Sequence, residues 1–137
     1  MKKRILSILL CVMLFASLIP MAASAADELK YSGNCTVNDA GVLVVSGDAE
    51  ISGSTGKSII IENSAGNVKL SGVSADRITV SGGNISAVGG ITANNIVING
   101  GKLSVSGASG LYANESVRIN GGTVYAAGES EYGIYAS

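Results

Sequence analysis

The sequence predicts an all-β chain folded as a parallel β-helix, and three observations carry that expectation. Short strands of alternating apolar residues recur, as in Ile78-Thr79-Val80 and Ile96-Val97-Ile98. Glycine pairs beginning at Gly82, Gly100 and Gly121 close them at intervals of roughly twenty residues. No stretch of helical period follows the first 25 residues.

Residues 1–25 read as a signal peptide. Lys2, Lys3 and Arg4 form a positive start, an apolar run extends from Ile5 to Pro20, and Ala23-Ser24-Ala25 gives the small-x-small cleavage pattern. The apolar run is too short for a comfortable membrane span, and polar sequence follows at once. Cys11 sits inside the run after Leu10, not at its end after a small residue, which speaks against a lipid anchor. The short, lysine-rich start resembles a bacterial leader. The expected product is secreted or displayed at the cell surface, with no membrane attachment after cleavage.

Residues 26–56 are expected to hold an N-terminal cap and the first irregular coils. Leu43-Val44-Val45 and Ala49-Glu50-Ile51 are its short strand candidates, each followed by Ser-Gly. Residues 57–137 form the regular coils. Val73–Gly83, Ile91–Gly101 and Leu111–Gly122 share one pattern: apolar-x-Ala-Asx, an apolar-x-apolar strand, then polar-Gly-Gly. A second alternating piece follows each turn, as in Leu103-Ser104-Val105, and a glycine ends the unit. Ile134-Tyr135-Ala136 opens another copy that stops at Ser137, so the sequence reads as a piece of a longer protein.

Alternation puts one row of side chains on one face of a strand. Strands this short bury little alone. Stacking them about 4.8 Å apart aligns like rows into one core and pairs each backbone with the coils on either side. A β-sandwich also uses short strands with turn signals, but it does not require register between successive units. Ser81, Asn99 and Asn120 share one repeat position and should stack as a hydrogen-bonded row.

Composition narrows function. Without the three leader cations, the nine Lys and Arg fall to six against ten Asp and Glu, a net charge of about −4. Nucleic acid is therefore not an expected partner. There is no His, which removes Ser-His and Cys-His nucleophile pairs. Arg77 and Arg118 are expected in one strand row with Val97 between them, and no paired carboxylates match across units. The expectation is a non-enzymatic protein. Beyond the leader Cys35 stands alone; it reads as a small buried hydrophobe, an intermolecular half-bridge or half of a pair completed elsewhere.

Two groups are candidate binding residues. Asp76, Asn94 and Asn114 occupy one repeat position, with Glu115 adjacent. Such oxygens in a column could hold calcium, although Asx side chains at bends more often bond their own backbone. Tyr112 and Tyr135 share the position of Thr92, where side chains should point outward and stack, and Tyr125 lies nearby in sequence. Exposed tyrosine rings suit contact with sugars. Glu129, Glu131 and Tyr132 fall in the longest loop, where solenoids place binding groups.

The segment Ile119–Ala136, with its INGGTVYAAG and GIYA strings, resembles secreted bacterial β-helix proteins described as carbohydrate-binding domain proteins of the pectin-lyase-like class. Ile59–Val73 resembles the first coils of the same group. The resemblance spans about Gly33 to Ser137. It implies an extracellular, right-handed parallel β-helix that binds acidic plant polysaccharide, often with calcium. The resemblance itself carries over no particular binding residue; from the repeat positions, Tyr112, Tyr125 and Tyr135 are the candidate carbohydrate-binding residues, and Asp76, Asn94, Asn114 and Glu115 the candidate metal column. The alternatives are a structural stalk or adhesin segment, and a fragment of a polysaccharide lyase.

Overall fold

A computed structural model describes residues 28–107, 110–129 and 133–137. The expected leader, Glu131 and Tyr132 lie outside these. The strands are β1 (Lys30–Val37), β2 (Leu43–Ser54), β3 (Ser58–Ile61), β4 (Asn67–Val80), β5 (Asn84–Ile98), β6 (Lys102–Gly107), β7 (Leu111–Ile119), β8 (Thr123–Gly128) and β9 (Ile134–Ala136). Among the described residues there is no helix. From β2 onward the strands pair in parallel and stack into a β-solenoid of about five turns.

The registers divide each coil into three faces. The first face stacks Leu43, Ile59, Ile78, Ile96 and Val117 in one inward row. The second stacks Ala49, Val68, Ile85, Leu103 and Val124. The third stacks Val73, Ile91, Leu111 and Ile134. Two residues along each strand runs a second inward row, such as Ala75, Ala93, Ala113 and Ala136. The alternation in sequence is thus the alternation of core and surface. Leu43, Ile59, Ile78, Ile85, Ile91, Ile96, Leu103 and Leu111 are all at most 1% exposed. Fully burying each such side chain stabilises the fold by about 1.5–3 kcal/mol. No polar or charged residue is buried among the described residues.

The Gly-Gly pairs make the bend between the first and second faces. Gly83, Gly101 and Gly122 have φ of 86°, 81° and 84°, a region that L side chains rarely adopt. They also stack closely. A Cβ on Gly101 would lie 2.7 Å from the carbonyl carbon of Gly82. Both constraints call for glycine, and this is why the pair recurs.

The start of the chain departs from the repeat. β1 pairs with β2 in the antiparallel sense, with a shift in register between Gly33 and Cys35. Parallel stacking begins at Leu43, inside the region expected to combine cap and irregular coils. β1 covers the open edge of the first coil, as a cap must.

Candidate functional site

Thr92, Tyr112 and Tyr135 occupy one outward row of the third face. The rings of Tyr112 and Tyr135 stack with centroids 5.0 Å apart and planes 12° apart. A pair of this kind adds about 0.5–1.5 kcal/mol beyond its burial. Stacking along the axis covers one ring face of each tyrosine with the other. Tyr125 sits elsewhere. It belongs to the second face, in register with Ser104 and Ser86, and is 67% exposed. The three candidate tyrosines therefore divide between two faces. Glu129 is exposed just after β8, and its N–H donates to the Gly107 carbonyl at 2.8 Å.

Asp76, Asn94 and Asn114 do form a column. Asn94 Nδ2 donates to Asp76 Oδ1 at 2.9 Å, and Asn114 Nδ2 donates to Asn94 Oδ1 at 2.9 Å. All three lie within strands, not in turns, and these side chains bond one another along the axis. Turn chemistry is therefore not what holds them. Calcium takes 6–8 oxygens. Here the column has a single carboxylate, and two of its side-chain oxygens already accept amide hydrogens. A cation would have to share those oxygens with the amide hydrogens already on them.

Glu115 belongs to a different row. The third repeat copy is one residue longer than the second, and the register shifts between Ala93 and Asn95 to absorb it. Glu115 is the extra residue of this bulge. Its Oε2 accepts from Asn95 Nδ2 at 2.7 Å, and Ser116 Oγ donates to Asn95 Oδ1 at 2.6 Å. The register also corrects the expected arginine row. Arg77 aligns with Asn95 and Ser116, whereas Arg118 aligns with Val97 and Thr79. The arginines are thus in neighbouring rows, because Arg77 stands five residues before its Gly-Gly pair at Gly82 and Arg118 three before Gly121.

Two further rows run along the axis. Asn120 Nδ2 donates to Asn99 Oδ1 at 2.8 Å, with Ser81 at the equivalent position in the coil before. Asn84 Nδ2 donates to Asn67 Oδ1 at 3.1 Å, a row that sequence reasoning missed. Its signal was present: each Asn directly precedes an alternating strand, Val68-Lys69-Leu70 or Ile85-Ser86-Ala87.

Cys35 lies in β1, partly buried against the core, and burial pushes its thiol pKa up. Its Sγ approaches the carbonyls of Ser32 and Gly33 at 3.7 and 3.8 Å. A raised pKa keeps the thiol protonated and poorly nucleophilic. Comparison with protein-family models, with curated proteins and with solved structures gave no match for this chain.

Proposed function

We propose that this chain is an exported, non-catalytic β-solenoid that binds polysaccharide. The observation that carries the reading is Tyr125, a ring two-thirds exposed on a flat face whose neighbouring rungs are serines. An exposed aromatic ring offers an apolar face to a sugar, and serine hydroxyls beside it offer donors and acceptors. Tyr112 and Tyr135 add aromatic surface on the adjoining face. The leader-like start supports export.

The test is retention of the purified protein on insoluble polysaccharides, polygalacturonate included, in calcium and in chelator. Retention that falls several-fold in Tyr125→Ala supports the proposal. Absence of retention on every glycan by a folded chain overturns it. Loss of retention in chelator assigns calcium a part and makes Asp76→Ala the next variant; equal retention in both removes calcium from the proposal.

A second reading is a structural spacer. It is supported by the axial rows of Asn94 and Asn114 and of Asn99 and Asn120, whose side chains bond one another. Failure of the glycan test leaves this reading in front.

A further inference from the structure

The first face differs from the other two in what it shows to water. Its central outward row runs Val44, Ile60, Thr79, Val97 and Arg118. Val44, Ile60 and Val97 each stand between two buried apolar residues, as in Ile59-Ile60-Ile61, so the alternation of core and surface fails here. The matching rows are polar on the second face, with Glu50, Lys69, Ser86 and Ser104 before Tyr125. A parallel strand that reads as a continuous apolar run is ordinarily covered on both sides. Val44, Ile60, Thr79 and Val97 are partly exposed, and no described strand lies across them.

The stripe has edges of opposite charge. On one edge Arg77 aligns with Ser58 and Asn95. On the other, Glu62 directly follows Ile61, as Ser81 follows Val80 in the next coil. Arg77 and Glu62 are exposed, stand on successive coils, and make no ion pair among the described residues. A two-fold axis laid along the stripe, parallel to the solenoid axis, sets stripe against stripe and exchanges the two edges. Each coil keeps its height. Arg77 of one copy then meets the Ser81 edge of the other, one coil, or about 4.8 Å, from its Glu62. Symmetry makes two such pairs. A two-fold axis across the stripe at Thr79 would instead set Arg77 against Arg77.

We propose that the first face is where two copies of this chain meet, side by side with their solenoid axes parallel. The apolar stripes form the centre of the contact, and the Arg77–Glu62 pairs on its rims fix the orientation. Arg118 ends the stripe and faces its own copy across the axis, the one like-charged pair in the contact. Five rungs about 4.8 Å apart and about five residues of strand give each copy a face of about 400 Å². That is small for a permanent dimer, so the association is weak and reversible. Tyr125 and the second face stay open, and dimerisation stands apart from sugar binding.

The test is sedimentation equilibrium of the full chain from about 10 μM to about 1 mM, a range that spans weak dissociation constants. The mass should rise from monomer towards dimer. Ile60→Lys should hold the chain monomeric throughout with its circular dichroism spectrum unchanged. Arg77→Glu and Glu62→Arg should each weaken the dimer by about tenfold, and the two together should restore it. Both residues are exposed, so the charge swap tests the contact even if Ile60→Lys misfolds. Arg118→Val removes the like-charged pair and should tighten the dimer; a looser one overturns the parallel arrangement. A wild-type chain that stays monomeric overturns the proposal, as does a double variant weaker than either single one. So do first-face amide NMR signals that move on adding a soluble polysaccharide to a chain that never dimerises, which assign the stripe to a sugar.

Discussion

The first and last coils of this solenoid carry the same kinds of residue at the same positions, yet only one of them is dry. Val45 and Ile119 belong to one inward row, through Ile61, Val80 and Ile98. Val45 is 0% exposed and Ile119 is 46% exposed. In the third-face row, Leu111 is 0% exposed and Ile134, one coil later, is 45% exposed. Residue type does not explain this. Neighbours do: β1 lies across the edge of the first coil, while the last described coil is flanked by strands on one side only. In a stacked fold a side chain is buried by the coils on both sides of it. An antiparallel strand serves that purpose as well as a parallel one.

This comparison is broken most directly in the core. Ile98→Ala empties a fully enclosed position and should cost about 2–5 kcal/mol. Ile119→Ala, in the same row, should cost about 1 kcal/mol or less, because its side chain is already half in water. Urea unfolding of the two variants measures the difference. Equal losses would show that the last coil is covered in solution.

The cap is the next lever. Gly33 has φ of 95°, and a side chain there would run into the backbone of Asp48 and Ala49. Gly33→Val should detach β1 locally and cost about 1–3 kcal/mol from backbone strain alone. Hydrogen exchange should then quicken in β1 and in the β2 amides paired with it, and leave β5 unchanged. Uniform quickening through the whole chain would mean that cap and coils unfold as one unit. Unchanged exchange throughout would mean that β1 contributes nothing to the first coil.

The reasons some of this was legible are local. Alternation and glycine pairs are short-range signals, so the coils, their inward rows and the stacked Tyr112 and Tyr135 could be read from spacing alone. The row of Asp76, Asn94 and Asn114 could be read in the same way. What spacing could not give is what depends on a single insertion or on pairing sense. One extra residue in the third copy made Glu115 a bulge, whereas the separate rows of Arg77 and Arg118 follow from counting back to the Gly-Gly pairs. β1 has no repeat partner in the sequence, so its antiparallel pairing was not visible. Tyr125 looked like a companion of Tyr112, but it lies past the Gly-Gly bend and so on another face.

The smallest expected effect concerns the surface rows, and it separates what they do from what the core does. Asn99 sits on the rim of the Gly-Gly bend, where its backbone N–H donates to the Val80 carbonyl at 2.7 Å and its side chain accepts from Asn120. Both groups can reach water, so losing the side-chain bond leaves nothing buried and unpaired. Asn99→Ala should therefore cost only about 0.5–1 kcal/mol. Asn99→Asp keeps an oxygen where Asn120 Nδ2 points, and should retain most of the stability at neutral pH and lose only the charge-assisted part of the bond as the carboxyl is protonated, since a neutral carboxyl still accepts. Urea midpoints at pH 7 and pH 3 for the two variants measure this. If Asn99→Asp is as weak as Asn99→Ala at pH 7, the axial bond contributes nothing. The bend then stands on its glycines and the backbone bonds of the stacked coils alone.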